Sequence, residues 1–163
     1  MALASAPGDH ASLFEVRPSA IHGLGVFALR RIARGTRIVE YAGERLTADE
    51  IEQRYTGQPD TGHTFLFHVG DDLYVDATHQ GNDARFINHC CDPNCESEID
   101  DDRVYIVALV DIDPGTELSY DYALEPEDDP PSTWTSLYAC RCGTSRCRGT
   151  LIDPGSEPPR AVI

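Results

Sequence analysis

A β-rich α+β fold is the prediction, and three observations carry it. Short apolar or alternating segments recur along the chain with turn residues between them. One segment alone carries the start signals of a clear helix. Three cysteines crowd into positions 140–147, on a stretch too short to bury a core of its own.

The elements follow in order. Residues 1–12 are small and polar and are expected to form a loose arm. Strands are expected at 13–17, 26–29, 37–41, 65–69, 73–75, 103–110 and 117–119. Between them lie turn signals at His22-Gly23, Ala33-Arg34-Gly35, Gly70-Asp71 and Asp113-Pro114-Gly115. Thr47 with Glu50 three residues on is a capping box, which predicts a helix over 48–55. A second helical turn is expected around 82–87. Strands this short do not suit a parallel doubly wound sheet. The body is therefore placed at 13–124, an acidic, proline-containing linker at 125–139, a cysteine module at 140–152 and a flexible Pro-rich tail at 153–163. No internal repeat is present.

The chain has 163 residues, which suits one domain. Thirteen basic against 28 acidic residues give a net charge of −15. That balance excludes a general nucleic-acid binder and docking on an anionic membrane, since both need a basic face. It would attract a cationic partner, or serve solubility alone. Every basic residue is Arg and none is Lys. The codon bias of a GC-rich genome and adaptation to salt are the two explanations. No run reaches the ~18 apolar residues of a membrane span. Residues 1–12 have no basic start and no apolar stretch, so no secretory signal is expected, and cysteines in a reducing compartment favour metal over disulfides.

Cys140, Cys142 and Cys147 form a C-x-C-x4-C run. Thiolates at this density hold Zn²⁺, which takes four ligands in a tetrahedron. A fourth ligand must come from elsewhere, with Cys90, Cys91 and Cys95 as candidates. Unrelated buried or disulfide-bonded cysteines are the alternative. Upstream, Asn88 and His89 sit in an unusually polar segment that turns at Asp92-Pro93. Downstream, Tyr120 and Tyr122 fall on one side of a strand. Taken singly, each of these residues is also explained as packing or loop structure.

Together the residues match a known pattern. Ile21-His22-Gly23-Leu24-Gly25-Val26-Phe27, Glu40-Tyr41-Ala42-Gly43-Glu44, Val75-Asp76-Ala77-Thr78, Arg85-Phe86-Ile87-Asn88-His89 with Asp92-Pro93-Asn94, Glu117-Leu118-Ser119-Tyr120-Asp121-Tyr122 and the cysteine run stand in one order. In these motifs the chain resembles SET-domain protein lysine methyltransferases of the trithorax type with a post-SET zinc module, from about residue 13 to 151. The resemblance implies a β-clip-like fold of small sheets. It also implies that the Asn88-His89 and Tyr122 segments thread into a pseudoknot, a departure from the usual unknotted chain.

The resemblance further implies roles. The loop of His22, Gly23, Leu24 and Gly25 would lie along S-adenosyl-L-methionine, with glycines permitting close backbone approach. Asn88 and His89 would hold its amino-acid and adenine parts, with Arg141 and Leu151 near the adenine and Phe65 counted with this set. Cys91, Cys140, Cys142 and Cys147 would hold structural Zn²⁺, leaving Cys90 and Cys95 outside. Tyr122 would be the catalytic tyrosine, aided by Tyr120. Phe65 stands where relatives carry Tyr, and Tyr120 where they carry Tyr or Phe, so mono- to dimethylation is expected. No general base is assigned. Trp134 and Tyr138 are expected to pack or to form a lid. The acidic stretch 96–102 is expected as a solvated hairpin, and the short insert 46–62 leaves substrate choice open.

Two functions remain from different classes. The first is a methyltransferase acting on lysine in a basic protein tail, a histone tail being the first candidate. The alternative is a non-catalytic SET module that binds a basic peptide as an adaptor. A disulfide-stapled secreted domain is a third, disfavoured reading. An intracellular setting is expected, with nuclear, cytoplasmic and host-delivered locations all open.

Overall fold

The computed structural model describes residues 12–62, 64–125, 132–153 and 155. Residues 1–11 of the expected arm, most of the tail and positions 126–131 of the expected linker lie outside them. The strands are β1 Phe14–Pro18, β2 Leu24–Ala28, β3 Arg37–Glu40, β4 Glu44–Leu46, β5 Leu66–Gly70, β6 Leu73–Asp76, β7 Asn88–His89, β8 Cys95–Asp100, β9 Arg103–Ala108 and β10 Ser119–Tyr120. The helices are α1, Ala48–Tyr55, and α2, Trp134–Leu137, with a 3-10 turn at Asp83–Phe86.

These strands form four small sheets. Three are antiparallel: β1-β2, β3-β9-β8 and β4-β6-β5. The fourth pairs β7 with β10 in parallel, setting Asn88 beside Ser119 and His89 beside Tyr120. The expected β-rich α+β class is what forms. One core collects Val26, Phe67, Val104, Ile106 and Leu118 with their neighbours from several sheets.

Helix α1 starts as the capping box requires. The Glu50 amide donates to Thr47 Oγ1 at 3.3 Å and the Thr47 amide to Glu50 Oε2 at 2.8 Å. None of its residues is buried, so an apolar stripe does not hold it in place. Its anchor is polar. Arg54 donates to Glu44 at 2.7 Å and to Asp76 at 3.0 Å, and the Tyr55 hydroxyl donates to Asp76 at 2.7 Å.

The acidic stretch is a hairpin between β8 and β9. Asp101 and Asp102 form its two-residue turn with φ of 49° and 61°. Both signs match the primed turns whose twist suits a hairpin. β8 answers only to the expected acidic hairpin, and strands β4 and β7 have no counterpart among the expected ones. Only Leu46 of β4 is buried, and two-residue β7 is defined by its partner β10, so neither shows a period of its own. β2 begins two residues earlier than expected, and β10 lies at 119–120 rather than 117–119.

The region expected as a linker contains ordered packing. Trp134 and Tyr138 are buried with Leu124 in a second, smaller core, against which Leu137, Leu151 and Ile152 rest. Bridges between Leu124 and Ile152, and between Ala139 and Thr150, lace the cysteine module to it.

Candidate functional site

The parallel pair β7-β10 places the two polar clusters of the sequence in contact. The Tyr122 amide donates to His89 Nδ1 at 3.1 Å. An accepting Nδ1 in a neutral ring puts the proton on Nε2, which lies 3.3 Å from Cys91 Sγ. Burial favours that neutral ring and pushes the His89 pKa down to about 4. The Tyr122 hydroxyl donates to the Ile87 carbonyl at 2.6 Å. Burial raises the Tyr122 pKa first, and the Glu117 carboxylate adds to it, so the phenol stays protonated.

A cavity of about 240 Å³ opens beside this pair. Ile21 and His22 bound it from the first loop, Asn88 and His89 from β7, and Tyr122 from the segment after β10. Cys140, Arg141 and Leu151 close it from the cysteine module. Six expected site residues outside the metal set thus meet at one space: His22, Asn88, His89, Arg141, Leu151 and Tyr122. Gly23, Leu24, Gly25, Phe65 and Tyr120 do not line it. Gly23 has φ +45° and shapes the loop, while Leu24 and His22 offer backbone oxygens to Asn88 at 2.9 and 3.2 Å. Phe65 packs on the main core, where its carbonyl accepts from the Tyr41 hydroxyl at 3.0 Å. Tyr120 is buried 4.9 Å from the Tyr122 ring and 6.5 Å from Phe67, centroid to centroid.

Sequence reasoning did not find the far wall. Thr61 and Gly62 line the cavity together with Ser136, Leu137 and Tyr138. The Tyr138 hydroxyl donates to Asp60 Oδ1 at 2.7 Å, fastening the insert to α2. A Cβ built at Gly62 would collide with the Leu137 carbonyl and side chain, so glycine is what lets the two segments meet. Of the pair considered for a lid, Tyr138 lines the cavity, whereas Trp134 packs edge-on against it at 5.5 Å. Besides Tyr138, the glycine at 62 was the readable signal.

The wall mixes a carboxamide, an imidazole and an arginine with the apolar Ile21, Leu137 and Leu151. Such a surface suits a ligand with a polar end and a flat, partly apolar end.

Beside the cavity, Cys91, Cys140, Cys142 and Cys147 bring their sulfurs within 4.8 Å of one another. Cys91 Sγ and Cys140 Sγ are 3.6 Å apart. A tetrahedron with Zn–S bonds of about 2.3 Å has edges of about 3.8 Å, so the four sulfurs fit that ion. Of the three candidates for the fourth thiol, Cys91 is the one in the group. All six cysteines are free thiols. Cys95 is buried away from the cluster, and burial pushes its thiol up to about 12.

Comparison with known proteins agrees in its coverage. The family pattern described as SET domain matches residues 23–123. A Saccharomyces cerevisiae protein named histone-lysine N-methyltransferase, H3 lysine-4 specific, is 43% identical over 140 residues, covering 82% of this chain and 12% of its own length. Histone-lysine N-methyltransferase set1 of Dictyostelium discoideum is 41% identical over 140 residues, 82% of this chain and 9% of its own. Histone-lysine N-methyltransferase trithorax of Drosophila melanogaster is 40% identical over 149 residues, 88% of this chain and 4% of its own. The chain therefore spans about a tenth or less of the length of these relatives. No helix among the described residues is long and apolar enough to cross a membrane.

Proposed function

The chain belongs to the SET-domain family, and from that membership we propose that it is a protein-lysine N-methyltransferase using S-adenosyl-L-methionine. The observation that carries this reading is the cavity where Asn88, His89 and Tyr122 meet Arg141 and Leu151 beside the four-thiol cluster. S-adenosyl-L-methionine supplies the methyl group on a sulfonium.

The chain's own residues then have defined tasks. The backbone at His22 and Leu24 and the side chains of Asn88 and His89 hold the polar part of the donor. Arg141 and Leu151 flank its flat part. Gly23 and Gly25 keep side chains out of the loop, and Phe65 and Tyr120 flank the lysine side of the reaction centre. Tyr122 orients the incoming amine through its hydroxyl oxygen, whose proton is committed to the Ile87 carbonyl. Roughly one lysine in 10³ is neutral at pH 7. Exclusion of water and alignment therefore carry the rate, with the proton lost to solvent before transfer. Zn²⁺ on Cys91, Cys140, Cys142 and Cys147 fixes the module that completes the cavity, and its binding energy becomes folding energy.

The substrate we propose is lysine in a basic tail, with histone H3 first because the Saccharomyces cerevisiae relative is named H3 lysine-4 specific. The net charge of −15 supports a cationic partner. An intracellular site of action goes with this reading. The test is transfer of radiolabel from S-adenosyl-L-methionine to mixed histones and basic peptides, with Tyr122→Phe as control. With no Lys in the chain, self-labelling on lysine side chains does not contribute. Label on substrate lysine that the variant loses is the expected result. Cofactor binding without label on any basic protein would overturn the reading in favour of an adaptor.

A further inference from the structure

We propose that Glu117 is a positioning residue of the cofactor site, its carboxylate wedged behind the first loop so that it sets the orientation of the Asn88 carboxamide. The proposal rests on the reading of the cavity given above.

The geometry begins with Glu117 Oε1. It accepts from Ser19 Oγ at 2.7 Å and from Asn88 Nδ2 at 2.9 Å. The same Asn88 nitrogen faces the Leu24 carbonyl at 2.9 Å and the His22 carbonyl at 3.2 Å. All three neighbours are acceptors. Only the NH₂ end of a carboxamide satisfies them, so Nδ2 must point to the loop. Asn88 is 8% exposed and lines the cavity. Its Oδ1 is thus the group it has left to offer there, an acceptor for an N–H donor of the ligand. A flipped carboxamide would set its oxygen against two carbonyls and a carboxylate. The charged acceptor makes that flip most unfavourable, because hydrogen bonds to ionised groups are the strong ones.

Two further features belong to this arrangement. A Cβ built at Gly25 would run into Glu117 Oε1 and Ser19 Cβ, so the glycine leaves the room that the carboxylate fills. Ser19 Oγ, while donating to Glu117, accepts from the Ile21 amide at 2.9 Å. The Ser19 amide in turn donates to the Gly23 carbonyl at 2.9 Å. One carboxylate therefore holds both the loop along which the donor would lie and the side chain that would grip it. The Glu117 backbone is itself fixed, through its bridge to Phe27 and the Leu118 amide donating to Val26 at 2.8 Å.

The test is calorimetric binding of S-adenosylhomocysteine to the whole zinc-loaded chain, with thermal midpoint and zinc content read on every variant. Glu117→Gln keeps an oxygen acceptor and should bind within about threefold of wild type. Glu117→Ala should weaken binding about tenfold. In an Asn88→Ala background the same change should add less than about threefold, since the group it acts through is gone. If Glu117→Ala does not fold, Glu117→Asp withdraws the carboxylate by one methylene and should weaken binding while keeping the charge. Wild-type affinity in Glu117→Ala or in Glu117→Asp overturns the proposal, as do effects of Glu117→Ala and Asn88→Ala that simply multiply. A wild-type chain that binds neither S-adenosylhomocysteine nor S-adenosyl-L-methionine overturns the reading of the cavity itself.

Discussion

Arg148 grips Asp121 with both terminal nitrogens, Nη1 to Oδ2 at 2.6 Å and Nη2 to Oδ1 at 2.7 Å. Asp121 sits between Tyr120 and Tyr122, and Arg148 directly follows Cys147. The same guanidinium also donates to the Leu151 and Ile152 carbonyls at 3.3 and 3.2 Å. One side chain thus joins the cysteine module to the segment of Tyr122 without using a metal. Lys cannot reproduce this fork. Arg148→Lys and Arg148→Ala should each lower stability by about 1–3 kcal/mol and speed zinc release to a competing chelator. Denaturant melts and a zinc indicator read both, and unchanged release would count against this role.

Zinc removal should undock the module without unfolding the body. The larger core draws on β1, β2 and the sheets around β6 and β9, whereas Trp134 is buried only in the smaller core shared with Leu151 and Ile152. A chelator should shift Trp134 fluorescence to the red while the far-ultraviolet signal of the strands persists. Cys142→Ser should lower the metal content well below one per chain. Cys90→Ser and Cys95→Ser should leave it near one, because neither belongs to the four-sulfur group.

Asp76 predicts an acid dependence. Burial acts to raise its pKa, but hydrogen bonds from Tyr55, Thr78 and Arg54 outweigh this and hold it below the ordinary aspartate value. A lowered folded pKa means stability present above the unfolded value and lost as pH falls through the folded one. Asp76→Asn removes the charge that anchors Arg54, and should cost about 2–4 kcal/mol near pH 7. The gap to wild type should hold above pH 4 and narrow below it. Melting curves at several pH values measure this, and a gap that stays constant down to pH 2 would contradict it.

Tyr122→Phe leaves the Ile87 carbonyl without its donor and, on the proposed function, the amine without its guide. A misplaced reactant in an otherwise formed site costs about 100-fold in rate. Turnover should fall by that order while cofactor binding changes little.

The proposed function makes product multiplicity a test of Tyr120 and Phe65. Wild type should stop at mono- and dimethyl-lysine, and Tyr120→Phe should advance the series if the Tyr120 hydroxyl, buried against the Tyr122 ring, crowds the amine as the resemblance implies. A mass-spectrometric time course distinguishes the products, and abundant trimethyl-lysine from wild type would refute this.

Much of the molecule was legible because its signals are local. The Thr47–Glu50 capping box marked α1 to the residue. The C-x-C-x4-C spacing marked three of the four clustered thiols, and the Asp-rich turn marked the β8-β9 hairpin. Strand β4 and the α2 helix were not legible. Their burial depends on what lies opposite, and neither has enough residues to show a period.

The sequence by itself determined the class of fold, the order of its motifs, its acidic balance and the presence of a thiol-rich module. Each is a property of neighbouring residues or of composition. Only the tertiary structure decided that Glu117 lies against Asn88, that Arg148 clasps Asp121, and that the Tyr138 hydroxyl meets Asp60. Those partners stand 29, 27 and 78 residues apart. No local preference encodes such contacts. They form only when burial of the shared cores brings distant segments together and leaves each polar group one place to find its hydrogen bond.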